Sequence, residues 1–138
     1  MFTITVADQT YELKTNLGTS FQIEEAFKMP LTEIFGKTDS AHVTELIKML
    51  AIAGREDKNP GFRSALLNNW DYTDLQFTVQ ELLGRLMFSG TDEENERKIE
   101  KFPASEAQKN VFREMLGLPK KNISSTPSSS SEQPTASE

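Results

Sequence analysis

Thr73-Asp74-Leu75-Gln76-Phe77-Thr78-Val79-Gln80-Glu81-Leu82-Leu83-Gly84-Arg85-Leu86 is the most regular stretch of this chain. Leu75, Val79, Leu82, Leu83 and Leu86 recur at spacings of three and four, the period of a helix with one apolar face. Gly90 supplies a stop beyond them. Gly84 inside the run costs roughly 1 kcal/mol relative to alanine, which points to a close helix contact at that position.

Downstream, Thr91 with Glu94 and Ser105 with Gln108 place a hydroxyl three residues before a side chain that reaches back, as in a capping box. The segment after Thr91 is mostly charged, with Ile99 and Phe102 as its apolar anchors. The last helix carries Ala107, Val111, Phe112 and Met115, with Gly117 as its stop and Pro119 beyond.

Upstream, a first helix is expected over Leu17–Phe27, closed before Pro30, with one further turn over Thr32–Gly36. Asp39 or Ser40 is expected to cap a helix whose inward face is Val43, Leu46, Ile47 and Leu50, ending near Gly54. Arg55-Glu56-Asp57-Lys58 reads as a charged loop. Asn59 then caps a short helix with Pro60 at its first position, where a missing N–H costs little. Phe62, Leu66 and Trp70 are its inward residues.

The N-terminal segment has a different period. Phe2, Ile4 and Val6 alternate with Thr3 and Thr5, and Tyr11-Glu12-Leu13-Lys14 alternates again after Ala7-Asp8-Gln9-Thr10. Period two on both sides of a short polar break predicts a β-hairpin. The break lacks the glycine that tight primed turns favour. A lone hairpin is marginal in water, so its apolar face is expected to lie on the helices.

From Pro119 onward the composition changes to Lys, Ser, Thr and Pro, with Ile123 the only large apolar residue. Too little is there to offset the entropy of ordering. The expected fold is mainly α: a small helical body with an N-terminal hairpin over residues 1–118, and a disordered tail over 119–138.

With 138 residues the chain has room for one core. A net charge of -6 and scattered lysines and arginines argue against a nucleic-acid partner. No cysteine and a single histidine, His42, exclude thiolate sites, cysteine nucleophiles and multi-histidine metal centres. No apolar run reaches the length of a membrane span and no signal peptide opens the chain, so a cytoplasmic location is expected.

Catalytic candidates are few. Asp92, Glu93, Glu94, Glu96 and Glu100 form the densest acidic group. Their spacing lacks the alternating ligands of a calcium loop, and acids in a first helical turn complement the helix dipole. His42 lacks an identified nucleophile to serve, and Glu45 three residues on is an ordinary helical neighbour. The glycines never gather into a phosphate-binding pattern. No cofactor is expected, and the chain reads as a non-enzyme. Asn122-Ile123-Ser124 matches a glycosylation sequon, but nothing carries the chain into a secretory compartment.

Nine phenylalanines and five methionines are a large share for so small a body. Most belong in the core. Phe77 and Phe88 fall off the Leu75–Leu86 stripe, so they complete a wider buried face or form an exposed patch that needs a partner. Phe77, Phe88, Met87 and Phe102 are therefore the candidate protein-binding residues.

The hairpin Thr3-Ile4-Thr5-Val6 and Tyr11-Glu12-Leu13-Lys14, followed by Leu17, Phe21 and Glu24-Glu25 and then a small acidic helical body, resembles the tail assembly chaperones of long-tailed bacteriophages. The resemblance covers roughly residues 1–118 and departs in the missing turn glycine after Asp8. It implies a non-enzymatic factor of the bacterial host cytoplasm that coats the helical tape measure protein, recruits tail tube subunits and self-associates. Many members also exist in a longer form made by ribosomal frameshifting, and Lys120-Lys121-Asn122 can be encoded by the slippery heptamer A-AAA-AAC. Two other classes fit the residues themselves: a generic acidic helical interaction module, and a structural virion protein such as a head–tail connector.

Overall fold

The computed structural model describes residues 2–121. The expected tail beyond Lys121, including the sequon and Asn122 of the slip site, lies outside the described residues. The described chain is mainly helical with an N-terminal two-stranded hairpin. Its helices fall into two compact units, one ending at Ser89 and one starting at Gly90, where a single body over 1–118 was expected.

In the first unit, β1 (Phe2–Val6) and β2 (Gln9–Leu13) pair antiparallel from Phe2 opposite Leu13 to Val6 opposite Gln9. The break between the strands is thus only Ala7-Asp8, shorter than the four-residue break read from the pattern. Both residues have positive φ, 51° and 67°, the signature of a type I′ turn made without glycine. Phe2, Val6, Tyr11 and Leu13 are buried on one face. The Tyr11 ring lies 4.7 Å from that of Phe62, and the Lys14 N–H donates to the Ala53 carbonyl at 2.8 Å. The hairpin therefore rests on helices, as its marginal stability alone requires.

The helices of this unit are α1 (Leu17–Phe27), α2 (Leu31–Gly36), α3 (Val43–Ala53), α4 (Phe62–Asn69) and α5 (Tyr72–Met87), with a 3-10 turn at Thr38–Ser40 before α3. α5 carries the expected stripe: Leu75, Val79, Leu82, Leu83 and Leu86 are all buried, with Gly84 among them. Burying one such side chain contributes about 2 kcal/mol. α5 starts one residue earlier than expected, because Asp71 and Asp74 cap reciprocally at 2.8 and 3.1 Å.

α3 packs on α1, α4 and α5 and forms the centre of the unit. Its N-cap is His42, not Asp39 or Ser40, which belong to the 3-10 turn. Val43, expected to face inward, is exposed, because a first-turn residue there projects past the helices that cover Leu46, Ile47 and Leu50. Asn59 also differs. Its amide donates to the Gly54 and Arg55 carbonyls at 2.9 and 3.3 Å, closing the end of α3, and Gly61 is the N-cap of α4. Phe62 and Leu66 are buried as expected, and Trp70 is half-buried.

The second unit pairs α6 (Asp92–Lys101) with α7 (Glu106–Met115). Thr91 and Glu94 complete their capping box. At α7 only half of the expected box forms: the Ser105 hydroxyl accepts from the Gln108 N–H at 3.2 Å. Ile99 and Phe112 are buried, but Ala107 and Val111 are exposed. The inward face of α7 carries Asn110 and Arg113 beside Phe112, so it is partly polar.

Candidate protein-docking surface

α1 begins where the Asn16 side chain accepts from the Thr19 N–H at 3.0 Å. Its buried residues are Thr19, Ser20 and Ile23. This rotation leaves Leu17 and Phe21, four apart, on the outer face, with 84% and 65% of their surface exposed. Two exposed large apolar side chains one helical turn apart form a small apolar patch on α1.

The helix ends at Lys28, whose φ of 58° is left-handed and whose N–H donates to the Glu24 carbonyl at 2.8 Å. The chain then turns through Met29-Pro30 into α2. The Glu24 carboxylate accepts from the Leu31 N–H at 2.6 Å, so one side chain joins the end of α1 to the start of α2. Phe21, Glu24, Glu25, Lys28, Met29 and Pro30 border a shallow depression at this corner.

Met29 also borders a second, deeper feature. A cleft of about 190 Å³ lies between α1, α2 and α3, with Phe27, Met29, Ile34, Ala41 and Met49 as its apolar lining. Lys37, Ser40, His42 and Glu45 ring the mouth, and the Lys48 ammonium stands 5.6 Å from the centre of the Phe27 ring. The wall formed by residues 37–42 hangs on α5. The Tyr72 hydroxyl donates to the Ala41 carbonyl at 2.8 Å, and the Gln76 amide donates to the Thr38 carbonyl at 3.1 Å. An apolar floor with a polar rim suits the capture of one side chain from a protein partner.

The residues singled out from the sequence differ in exposure and in the unit that holds them. Phe77 stands outside α5 with 67% of its area exposed. Phe88 is 3% exposed, so it is not a surface residue, and Met87 is half-buried against the core. Phe102 belongs to the second unit, where it meets Phe112 edge-on at 5.3 Å. The pair that fell off the stripe thus divides: Phe77 lies outside and Phe88 inside.

Leu17 and Phe21 carried a sequence signal that was passed over. They sit four apart, but Ile23, Ala26 and Phe27 offer α1 a competing apolar face, and period alone cannot say which face is covered. His42 is exposed, and its backbone N–H donates to the Glu45 carboxylate at 2.8 Å. Among the described residues no group of His, Cys, Asp and Glu is placed to hold a metal ion. Of the acidic group, Glu94 caps α6, Glu96 bonds Arg113 and Glu100 bonds Lys121. Among the described residues no helix is long and apolar enough to cross a membrane.

Comparison of the chain with protein families, curated proteins and solved structures finds no match.

Proposed function

We propose that the chain is a non-enzymatic assembly chaperone of a long-tailed bacteriophage. It acts in the host cytoplasm, covers apolar stripes of the helical tape measure protein and helps recruit tail tube subunits. One observation carries the reading: Leu17 and Phe21 are exposed at helical spacing on α1, and Phe21 borders a depression that shares Met29 with an apolar cleft. They lie in the segment that most resembles that family. A client helix offers apolar residues three or four apart, a spacing that matches Leu17 and Phe21. Burial on both sides contributes about 25 cal/mol per Å² of apolar surface removed from water.

The test is co-expression with a tape measure protein encoded beside this gene. The intact chain keeps the client soluble, and the Leu17→Ser/Phe21→Ser variant does not. A client that stays equally soluble with the double variant sinks the reading.

A further inference from the structure

We infer that the second unit is an acid-operated latch: protonation of the carboxylates around Arg113 opens residues 90–121 as a whole, while the first unit stays folded. The inference is independent of the client reading and rests on how differently the two units are held.

The first unit has a continuous apolar core running from Phe2 to Leu86. In the second, the buried apolar side chains are Ile99, Phe112 and Leu118. A stretch below about 40 residues rarely holds by apolar burial alone. Here the remainder is ionic. Among the described residues Arg113 is the one buried charged side chain, and it pairs with Glu96 of α6 and Glu106 of α7.

The same group closes the end of the unit. Gly117, with a left-handed φ of 74°, turns the chain back after α7, and the Leu118 N–H donates to the Arg113 carbonyl at 2.7 Å. Asn110, bonded to the guanidinium, clasps both backbone groups of Lys121. The Lys121 ammonium meets Glu100 and stands 3.7 Å from Glu96. Lys109 completes the charged groups around the network, its ammonium on the Glu100 carbonyl at 2.7 Å. Residues 116–121 are thus a strap fastened by Asn110, Glu96 and Glu100.

Acid reaches this fastening because Glu96 and Glu106 keep 29% and 39% of their side chains exposed. The bond from Arg113 holds the Glu106 carboxyl below its ordinary value, and the bond from Lys121 does so for Glu100. Stability of that origin is present above the ordinary value and lost as pH falls through the folded one, so the latch works below about pH 4.3. Protonation does more than cancel an attraction. It strands a guanidinium that has no exposed surface, and opening the unit returns that charge to water. Opening also uncovers Ile99, Phe112 and Leu118.

An acid titration of the full chain, from about pH 7 to about pH 3, tests this with two signals. Trp70 is the single tryptophan and lies in the first unit, so its fluorescence reports that unit alone. Far-ultraviolet circular dichroism reports all the helices. The helical signal falls first by the share of α6 and α7, ten residues each, with Trp70 emission unchanged. Asn110→Ala removes no titrating group and moves this first step up by about half a pH unit. Glu106→Gln removes one titrating partner and makes the step less steep. Either variant found open at neutral pH, with Trp70 emission unchanged, upholds the latch as well.

A single transition seen in both signals, or no loss of helix across the titration, overturns the proposal. So does a first step whose midpoint Asn110→Ala leaves in place, or whose steepness Glu106→Gln leaves unchanged.

Discussion

Arg113 of α7 and Glu96 of α6 are joined by a forked ion pair in which the arginine has no exposed surface. The Arg113 Nε donates to both Glu96 oxygens at 3.0 and 3.2 Å, and Nη2 donates to one of them at 3.0 Å. Nη1 donates to Glu106 at 2.6 Å and to the Asn110 side chain at 2.8 Å. The Asn110 amide in turn holds both backbone groups of Lys121, at 2.8 and 2.9 Å. One buried guanidinium thus organises the second unit and fastens Lys121.

Removing a partner should therefore cost more than removing a surface ion pair, because the charge left behind is buried. Glu96→Gln is expected to lower stability by about 2 kcal/mol, since Glu106 and Asn110 still serve the guanidinium. Lys37→Ala, which breaks an exposed pair with Glu33, should cost below about 1 kcal/mol. Urea unfolding of the two variants checks the contrast, and equal costs would contradict it.

The same network sets the response to acid. The hydrogen bond from Arg113 holds the Glu106 carboxyl below its ordinary value, and the bond from Lys121 does the same for Glu100. A folded-state pKa below the unfolded one stabilises above the unfolded value, and that stabilisation is lost as pH falls through the folded value. The loss therefore begins below about pH 4.3 and not near neutrality. Glu106→Gln removes a proton-binding difference, so its unfolding free energy should fall less steeply with pH in that range. Parallel slopes for variant and intact chain would remove Glu106 from the account.

The hairpin turn makes a prediction of opposite sign. Ala7 and Asp8 both occupy positive φ, a region that costs an alanine roughly 1 kcal/mol. Asn-Gly suits both positions. The double change Ala7→Asn/Asp8→Gly is expected to raise the midpoint of thermal unfolding, with a gain of about 1 kcal/mol. No gain would mean that the turn is not the two-residue type.

These cases show what the sequence discloses. The strand pairing and the α5 stripe were readable because period two and period 3.6 are set by backbone geometry and repeat over many residues. Val43 and Ala107 were misplaced because an apolar residue near a helix end is buried only if another element happens to cover it, and Val111 because the inward face of α7 runs through Asn110, Phe112 and Arg113. Arg113 was invisible because a charged residue is ordinarily exposed, and its burial depends on Glu96 seventeen positions earlier. The exposed face of α1 was half legible. The Leu17 and Phe21 spacing is in the sequence, but which face of α1 packs on α3 is decided by tertiary contacts.

Gly54 and Arg55 divide two jobs that a single glycine often performs at a helix end. Gly54 has an ordinary φ of -81°, but an added Cβ would stand 2.6 Å from the Phe62 ring and 3.1 Å from the Leu50 carbonyl. Arg55 takes the left-handed position, with φ 56°. Gly54→Ala should therefore destabilise by about 2 kcal/mol through overpacking against Phe62. Arg55→Gly should stabilise by about 0.5 kcal/mol through relief of the backbone. Opposite shifts in denaturation midpoint check the division, and a stabilising Gly54→Ala would contradict it.

Ser20 offers the last test, because its hydroxyl is buried and has no hydrogen-bond partner among the described residues. Its place on α1 is behind the exposed Leu17 and Phe21, among the residues that hold the helix to the core. A buried hydroxyl without a partner loses its bonds to water and gains none in return. Ser20→Ala removes the oxygen and adds helix propensity, so stability should rise by about 1 kcal/mol. Because Ser20 does not border the cleft, client solubility should stay unchanged. A destabilised Ser20→Ala would mean that the hydroxyl has a partner, such as an ordered water, and that this face of α1 is packed less tightly than its burial indicates.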